Sequence, residues 1–263
     1  MLQILLVDAA VSAAAFLALW LISLRIRDVS FIDAWWGLGM GLIAWTAFLQ
    51  GPPTPRGMLL TAICTVWAAR LGGYLLWRWR KHGADRRYVA MLAHAEKERG
   101  WSFAKTSLLL VFSLQYVMQF VVALPVQLGQ APGPLGPLAF AGAALAVLGI
   151  LFETVGDAQL VAFKADPANA GKVMDKGLWR YTRHPNYFGD ACTWWGLFLI
   201  AAEALPWGPL SMIGPALLTF TLIRWSGVPT TEGRLKKTRP DYAAYVARTS
   251  GFVPWFPKTN PLP

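Results

Sequence analysis

The sequence predicts an all-α fold, a polytopic membrane protein of seven transmembrane helices in a single domain. Three observations carry that prediction. Of 263 residues, 56% are hydrophobic and only 14% charged, with a mean hydropathy of +0.42; soluble domains carry about a quarter of their residues charged. The apolar residues collect in runs that approach the roughly 20 needed to cross a bilayer. Fourteen Trp residues suit the aromatic belts found where lipid meets water. The net charge of +10 does not point to nucleic acid, because the cations are interleaved with apolar runs and form no basic module.

Taken in order, the first span is expected over residues 9–24, closed by Arg25, Arg27 and Asp28. No basic stretch precedes this run, so a cleaved signal peptide is not expected and the first helix should stay. The second covers 31–49 and ends in GPPTPRG; the third covers 58–77 and meets the basic loop RWRKHGADRRYVAMLAHAEKERGW. The fourth spans 106–128 before GQAPGPLGP, and the fifth spans 138–155 and runs on as a more polar helix through Lys164. The sixth is expected over 187–206 and the seventh over 210–225, followed by a polar tail. Of 24 Lys and Arg residues, only Arg56 falls in an outer loop. The excess of cations on one side sets the amino terminus outside and the carboxyl terminus in the cytosol. Cys64 and Cys192 lie in apolar runs and suggest neither a disulfide nor a metal site.

Ionisable residues inside spans are costly and mark candidate sites. Asp33, Arg70, Glu153, Asp157 and Arg224 all fall in the cytosolic half by this topology, and Glu153 and Asp157 share a helix face. Two readings stand for Asp33. It either pairs with a cation from another segment or, in protonated form, donates a hydrogen bond to a substrate carbonyl. Gln115, Tyr116 and Gln119 form a polar stripe along the fourth span, best read as hydrogen bonding between helices. In the basic loop, Arg86, Arg87 and Tyr88 follow Asp85 and read as a phosphate clamp or as a solvated loop facing anionic lipid.

The chain changes character most abruptly over residues 176–195, KGLWRYTRHPNYFGDACTWW, where cations give way to Asn186, Tyr187 and Asp190 and then to apolar, Trp-rich sequence. Pro185 suits the first turn of a helix. The exposed N–H groups of that turn should create an anion pocket beside Thr182, Arg183 and His184. In the tail, TTEGRLKKTRPDYAAYV places Glu232 and Tyr242 on an expected amphipathic helix, with Tyr245 one turn beyond Tyr242.

The run GLWRYTRHPNYFGD, with the tail TEGRLKKTRPDYAAYV, resembles the carboxyl-terminal domain of the steroid 5-alpha-reductase superfamily. Within it, the chain is most similar to bacterial and plant membrane proteins that form a domain of unknown function beside those reductases. The RHP-x-Y element is shared more widely, with sterol C14 reductases and isoprenylcysteine carboxyl methyltransferases. The resemblance implies a membrane fold that takes NADPH from the cytosol, in a bacterial inner membrane. It implies cofactor contacts at Tyr74, Arg78, Arg87, Asp157, Lys164, Arg180, Tyr181, Arg183, His184, Asn186, Tyr187, Asp190, Arg224, Glu232 and Tyr242. Asp33 stands where the reductases place a catalytic Glu. Trp67 occupies the position of their assisting Tyr, and Glu153 replaces an expected Asn.

The expected activity is therefore NADPH-dependent reduction of a conjugated C=C bond in a lipophilic substrate that enters from the bilayer. Asp33 is the expected donor to the substrate carbonyl, with Tyr116 and Tyr88 as further candidates. An S-adenosylmethionine-dependent lipid methyltransferase is the competing enzyme reading, and a non-catalytic lipid-binding protein the third. The sequence lacks a glycine-rich dinucleotide loop, so a Rossmann domain is excluded.

Overall fold

The computed structural model describes residues 1–258, which are predominantly helical and contain no β-strand among the described residues. Five helices are long and apolar enough to cross a membrane: α1 (Leu2–Ile26), α2 (Ile32–Leu49), α3 (Pro55–His82), the continuous segment Phe103–Val122 and α8 (Pro137–Ala165). The chain is an integral membrane protein by this measure. Phe103–Val122 consists of α5 (Phe103–Ser107), a π turn and α6 (Ser113–Val122). A short α7 (Leu124–Leu128) follows, split from α6 at Ala123, so the fourth predicted span is shorter than expected and broken near Pro125.

The last two predicted spans differ from expectation for a physical reason. α9 (Pro185–Ala202) forms, but Asn186, Asp190 and paired Trp residues make it too polar to count among the crossing helices. Residues 208–225 break into a 3-10 turn, the eight-residue α10 (Ile213–Phe220) and a π turn, with Pro209 and Pro215 interrupting the amide ladder. The basic loop after α3 also differs from expectation, because it folds as α4 (Arg86–Arg99), with Asp85 capping the first turn through the Arg87 amide. The tail makes two helices rather than one, α11 (Gly227–Thr238) and α12 (Tyr242–Arg248), parted by Arg239 and Pro240.

Two compact units divide the chain: Met1–Phe140 with Leu197–Gly214, and Ala141–Gly196 with Pro215–Pro263. In the first unit the polar stripe acts between helices as expected. Gln119 donates to the carbonyls of Trp35 and Trp36, and the Tyr116 hydroxyl donates to the Ala9 carbonyl. Arg56, expected in an outer loop, instead lies buried in the first turn of α3 and donates to the carbonyls of Ala131 and Pro134. Glu203 accepts from the amides of Gly136 and Leu138, capping α8.

In the second unit α8 and α9 approach at backbone distance. A Cβ on Gly189 would stand 2.5 Å from the Gly149 carbonyl, and one on Gly149 would stand 2.5 Å from the Gly189 carbonyl. Small residues at such contacts let membrane helices pack closely. Gly189→Ala should therefore cost about 1–3 kcal/mol by overpacking. Gly73→Ala, where an added Cβ meets nothing within 4 Å, should be neutral or mildly stabilising. Thermal unfolding of both variants in detergent checks the contrast.

Candidate functional site

Each unit builds its own polar site. In the first, α2 begins at Ile32, so Asp33 occupies its opening turn. The Tyr88 hydroxyl donates to Asp33 Oδ1 at 2.7 Å, while Arg87 Nη2 reaches Oδ2 at 3.2 Å and Arg78 Nη2 stands 3.6 Å away. Gln115 Nε2 donates to the Tyr88 oxygen at 2.9 Å. Arg87 also binds Asp85, which caps the helix that carries both Arg87 and Tyr88. The Asp85 amide donates to Ser30 Oγ, so α4 is laced to the segment just before α2.

This geometry gives Asp33 partners from other segments of the first unit. Asp33 meets the Tyr88 hydroxyl and lies beside two guanidiniums from other segments, the first of the two readings the sequence left open. Arg78 and Arg87, the expected phosphate contacts, both stand against Asp33 in this structure and compensate its charge. Burial, and then the charge of Asp33, push the Tyr88 pKa well above the usual phenol value, so Tyr88 stays a neutral O–H donor. The structure does not bring Tyr116 to this cluster; its hydroxyl is committed to Ala9. Tyr74 stacks on Trp77 further along α3.

The second unit's site centres on Glu232 of α11. Arg183 Nε donates to Glu232 Oε1 at 2.8 Å, and His184 Nε2 lies 3.1 Å from the same oxygen. Arg183 Nη1 also donates to the Thr249 carbonyl. The structure thus places a carboxylate of the chain itself beside Arg183 and His184. The His184 ring stacks on Tyr187 with 2° between planes, and the Tyr187 hydroxyl meets Thr231 Oγ1. Asn186 Nδ2 donates to Asp157 Oδ1, tying α9 to α8. Burial raises the Glu232 pKa, but hydrogen bonds from His184 and Arg183 outweigh it and hold the carboxyl down at about 2.

Beside this cluster lies a cavity of about 220 Å³. Lys164, Lys172, Arg183 and Arg239 supply its cations, and Trp179, Tyr242 and Tyr245 its aromatic wall. Tyr242 and Tyr245 are both buried, as the tail pattern suggested, and burial pushes Tyr242 up to about 12. The sequence reading missed Lys172, Trp179 and Arg239. Trp179 hides inside the otherwise cationic run, and Arg239 looks like one more solvated tail charge. Arg180, Tyr181 and Arg224 are exposed and lie outside the cavity lining, while Asp190 is buried in α9.

Fold and sites together define an all-helical integral membrane protein with one site built on an acid–phenol pair and another on a carboxylate held by Arg and His. Residues 19–249 match the family described as "Protein of unknown function (DUF1295)", and the chain belongs to that family. No curated protein and no solved structure matches it.

Because the Glu232 pKa is lower folded than unfolded, its stabilisation is complete above the unfolded value of about 4.5 and is lost as pH falls towards 2. Wild-type protein should lose melting temperature across that window. Glu232→Gln should melt lower at neutral pH and show a flatter acid limb. Equal acid limbs in the two proteins would remove Glu232 as the cause.

Proposed function

We propose that the chain is an NADPH-dependent reductase of a conjugated C=C bond in a lipophilic substrate drawn from the bilayer. The hydrogen bond from Tyr88 to Asp33 is the observation that carries this reading. A phenol kept protonated by burial and by a neighbouring carboxylate is a fixed donor for an oxygen that gains negative charge. A substrate carbonyl competes with Asp33 for the Tyr88 proton. It competes better as charge builds on its oxygen, so the donation stabilises the transition state more than the ground state. Arg78 and Arg87 keep Asp33 compensated while the phenol changes acceptor. Gln115 Nε2 also donates to the phenol oxygen and helps to hold it in place.

The residues around the cavity of the second unit suit a phosphorylated nucleotide. Lys164, Lys172 and Arg239 match phosphate, and Trp179, Tyr242 and Tyr245 match a flat base. Tyr242 is buried in that lining, with Arg183 and Glu232 as its charged neighbours. Bound, the dinucleotide supplies a hydride equivalent. At about 220 Å³ the cavity admits one nucleotide moiety rather than the whole cofactor. That size also suits S-adenosylmethionine and sustains the methyltransferase reading, but the surrounding cations favour a ligand that carries phosphate. The same reading keeps seven spans, the amino terminus outside, the carboxyl terminus cytosolic and a bacterial inner membrane as the location, supported by the one-sided distribution of Lys and Arg.

Tyr88→Phe should lower turnover by roughly 10²–10³, the effect of deleting one donor at a developing oxyanion, with NADPH affinity unchanged. Lys172→Glu with Arg239→Glu should weaken NADPH binding. Calorimetric titration with NADPH and with S-adenosylmethionine separates the readings: methyl-donor binding without NADPH binding reverses the assignment, and full turnover in Tyr88→Phe removes the phenol from the reaction.

A further inference from the structure

The carboxyl-terminal segment GFVPWFPK, residues 251–258, forms an extended strap rather than a helix, with Pro254 and Pro257 barring a helical ladder. Its backbone is firmly tied. The Arg183 amide donates to the Ser250 carbonyl, Thr182 Oγ1 to the Phe252 carbonyl, the Trp255 amide to the Tyr181 carbonyl and the Lys258 amide to the Arg248 carbonyl. Phe252 turns inward against Phe188. Its neighbours turn out: Val253 is 58% exposed, Trp255 72% and Phe256 77%. Phe256 meets the half-exposed Tyr181 edge to face, extending the patch.

An ordered backbone that presents large aromatic side chains to the outside calls for a partner. Arg180 and Lys258 flank the patch and are exposed, while the nearby Asp175 carboxylate is committed to Arg248. Aromatic rings with adjacent cations match the layer where acyl chains meet anionic headgroups. A protein with five helices able to cross a membrane has that layer at hand. We propose that the strap is a lipid-surface contact, in which Val253, Trp255 and Phe256 enter the headgroup–acyl boundary and Arg180 and Lys258 hold anionic headgroups. Because the strap is bonded to Thr182 and Arg183, this contact also anchors the segment that carries Arg183 and His184 to Glu232.

The test uses full-length protein in nanodiscs of phosphatidylcholine, with and without phosphatidylglycerol, in a Cys64→Ala, Cys192→Ala background. Nitroxide labels are placed at Trp255→Cys, at Val253→Cys as a second site should the first disturb folding, and at Ala243→Cys as an exposed reference. Power saturation should show the labels at 253 and 255 open to oxygen and shielded from a water-soluble nickel chelate, with position 243 the reverse. Phosphatidylglycerol should deepen the strap labels, and Arg180→Glu with Lys258→Glu should abolish that gain. Nickel access at 253 and 255 equal to that at 243 overturns the proposal. So does shielding from both reagents that fades on dilution, which marks contact with a second copy. An unchanged depth with phosphatidylglycerol overturns the headgroup assignment.

Discussion

A carboxylate in the opening turn of an apolar helix survives only if cations are brought to it, and much of the first unit is arranged to do that for Asp33. Arg78 arrives because α3 continues about one turn past its apolar stretch. Arg87 arrives because Asp85 stops the chain after Gly83 and starts α4. The same restart delivers Tyr88 to the other carboxylate oxygen. Leaving a buried charge uncompensated is expensive enough to make these arrivals a condition of the fold, not an ornament on it. The phenol that results is held between Asp33 and Gln115.

The second unit solves the same problem with the signs arranged differently. Arg183 and His184 precede a helix start, where partial positive charge already gathers. Glu232 from α11 neutralises that concentration and so fixes the tail against the segment before α9. Beside them lies the cavity, whose lining also carries Lys164, Lys172 and Arg239.

Much of this was legible in the sequence. The first three spans and the fifth follow from apolar run length, and the structure extends each to natural stops such as Arg27 and Gly83. The importance of Asp33 followed from its depth, and that of Arg183 and His184 from the abrupt change at residues 176–195. Local patterns could not name partners. The meeting of Tyr88 and Asp33 joins residues 55 positions apart, and that of Arg183 and Glu232 joins residues 49 apart. α4 was hidden because its charge density reads as a solvated loop, although Asp85 is a competent cap. The region 208–225 reads as one apolar span, but Pro209 and Pro215 break its helix in ways that hydropathy does not register.

The proposed reaction passes hydride from a nicotinamide to a lipophilic substrate drawn from the bilayer. Purified protein in nanodiscs, supplied with a membrane lipid extract and NADPH deuterated at the transferable position, tests it by mass spectrometry of the recovered lipids. The account predicts a lipid two mass units heavier than its unsaturated precursor from hydrogen addition, plus one further unit for the deuterium on carbon. Recovered lipids free of deuterium, with a methyl group gained when labelled S-adenosylmethionine replaces the nicotinamide, would contradict it.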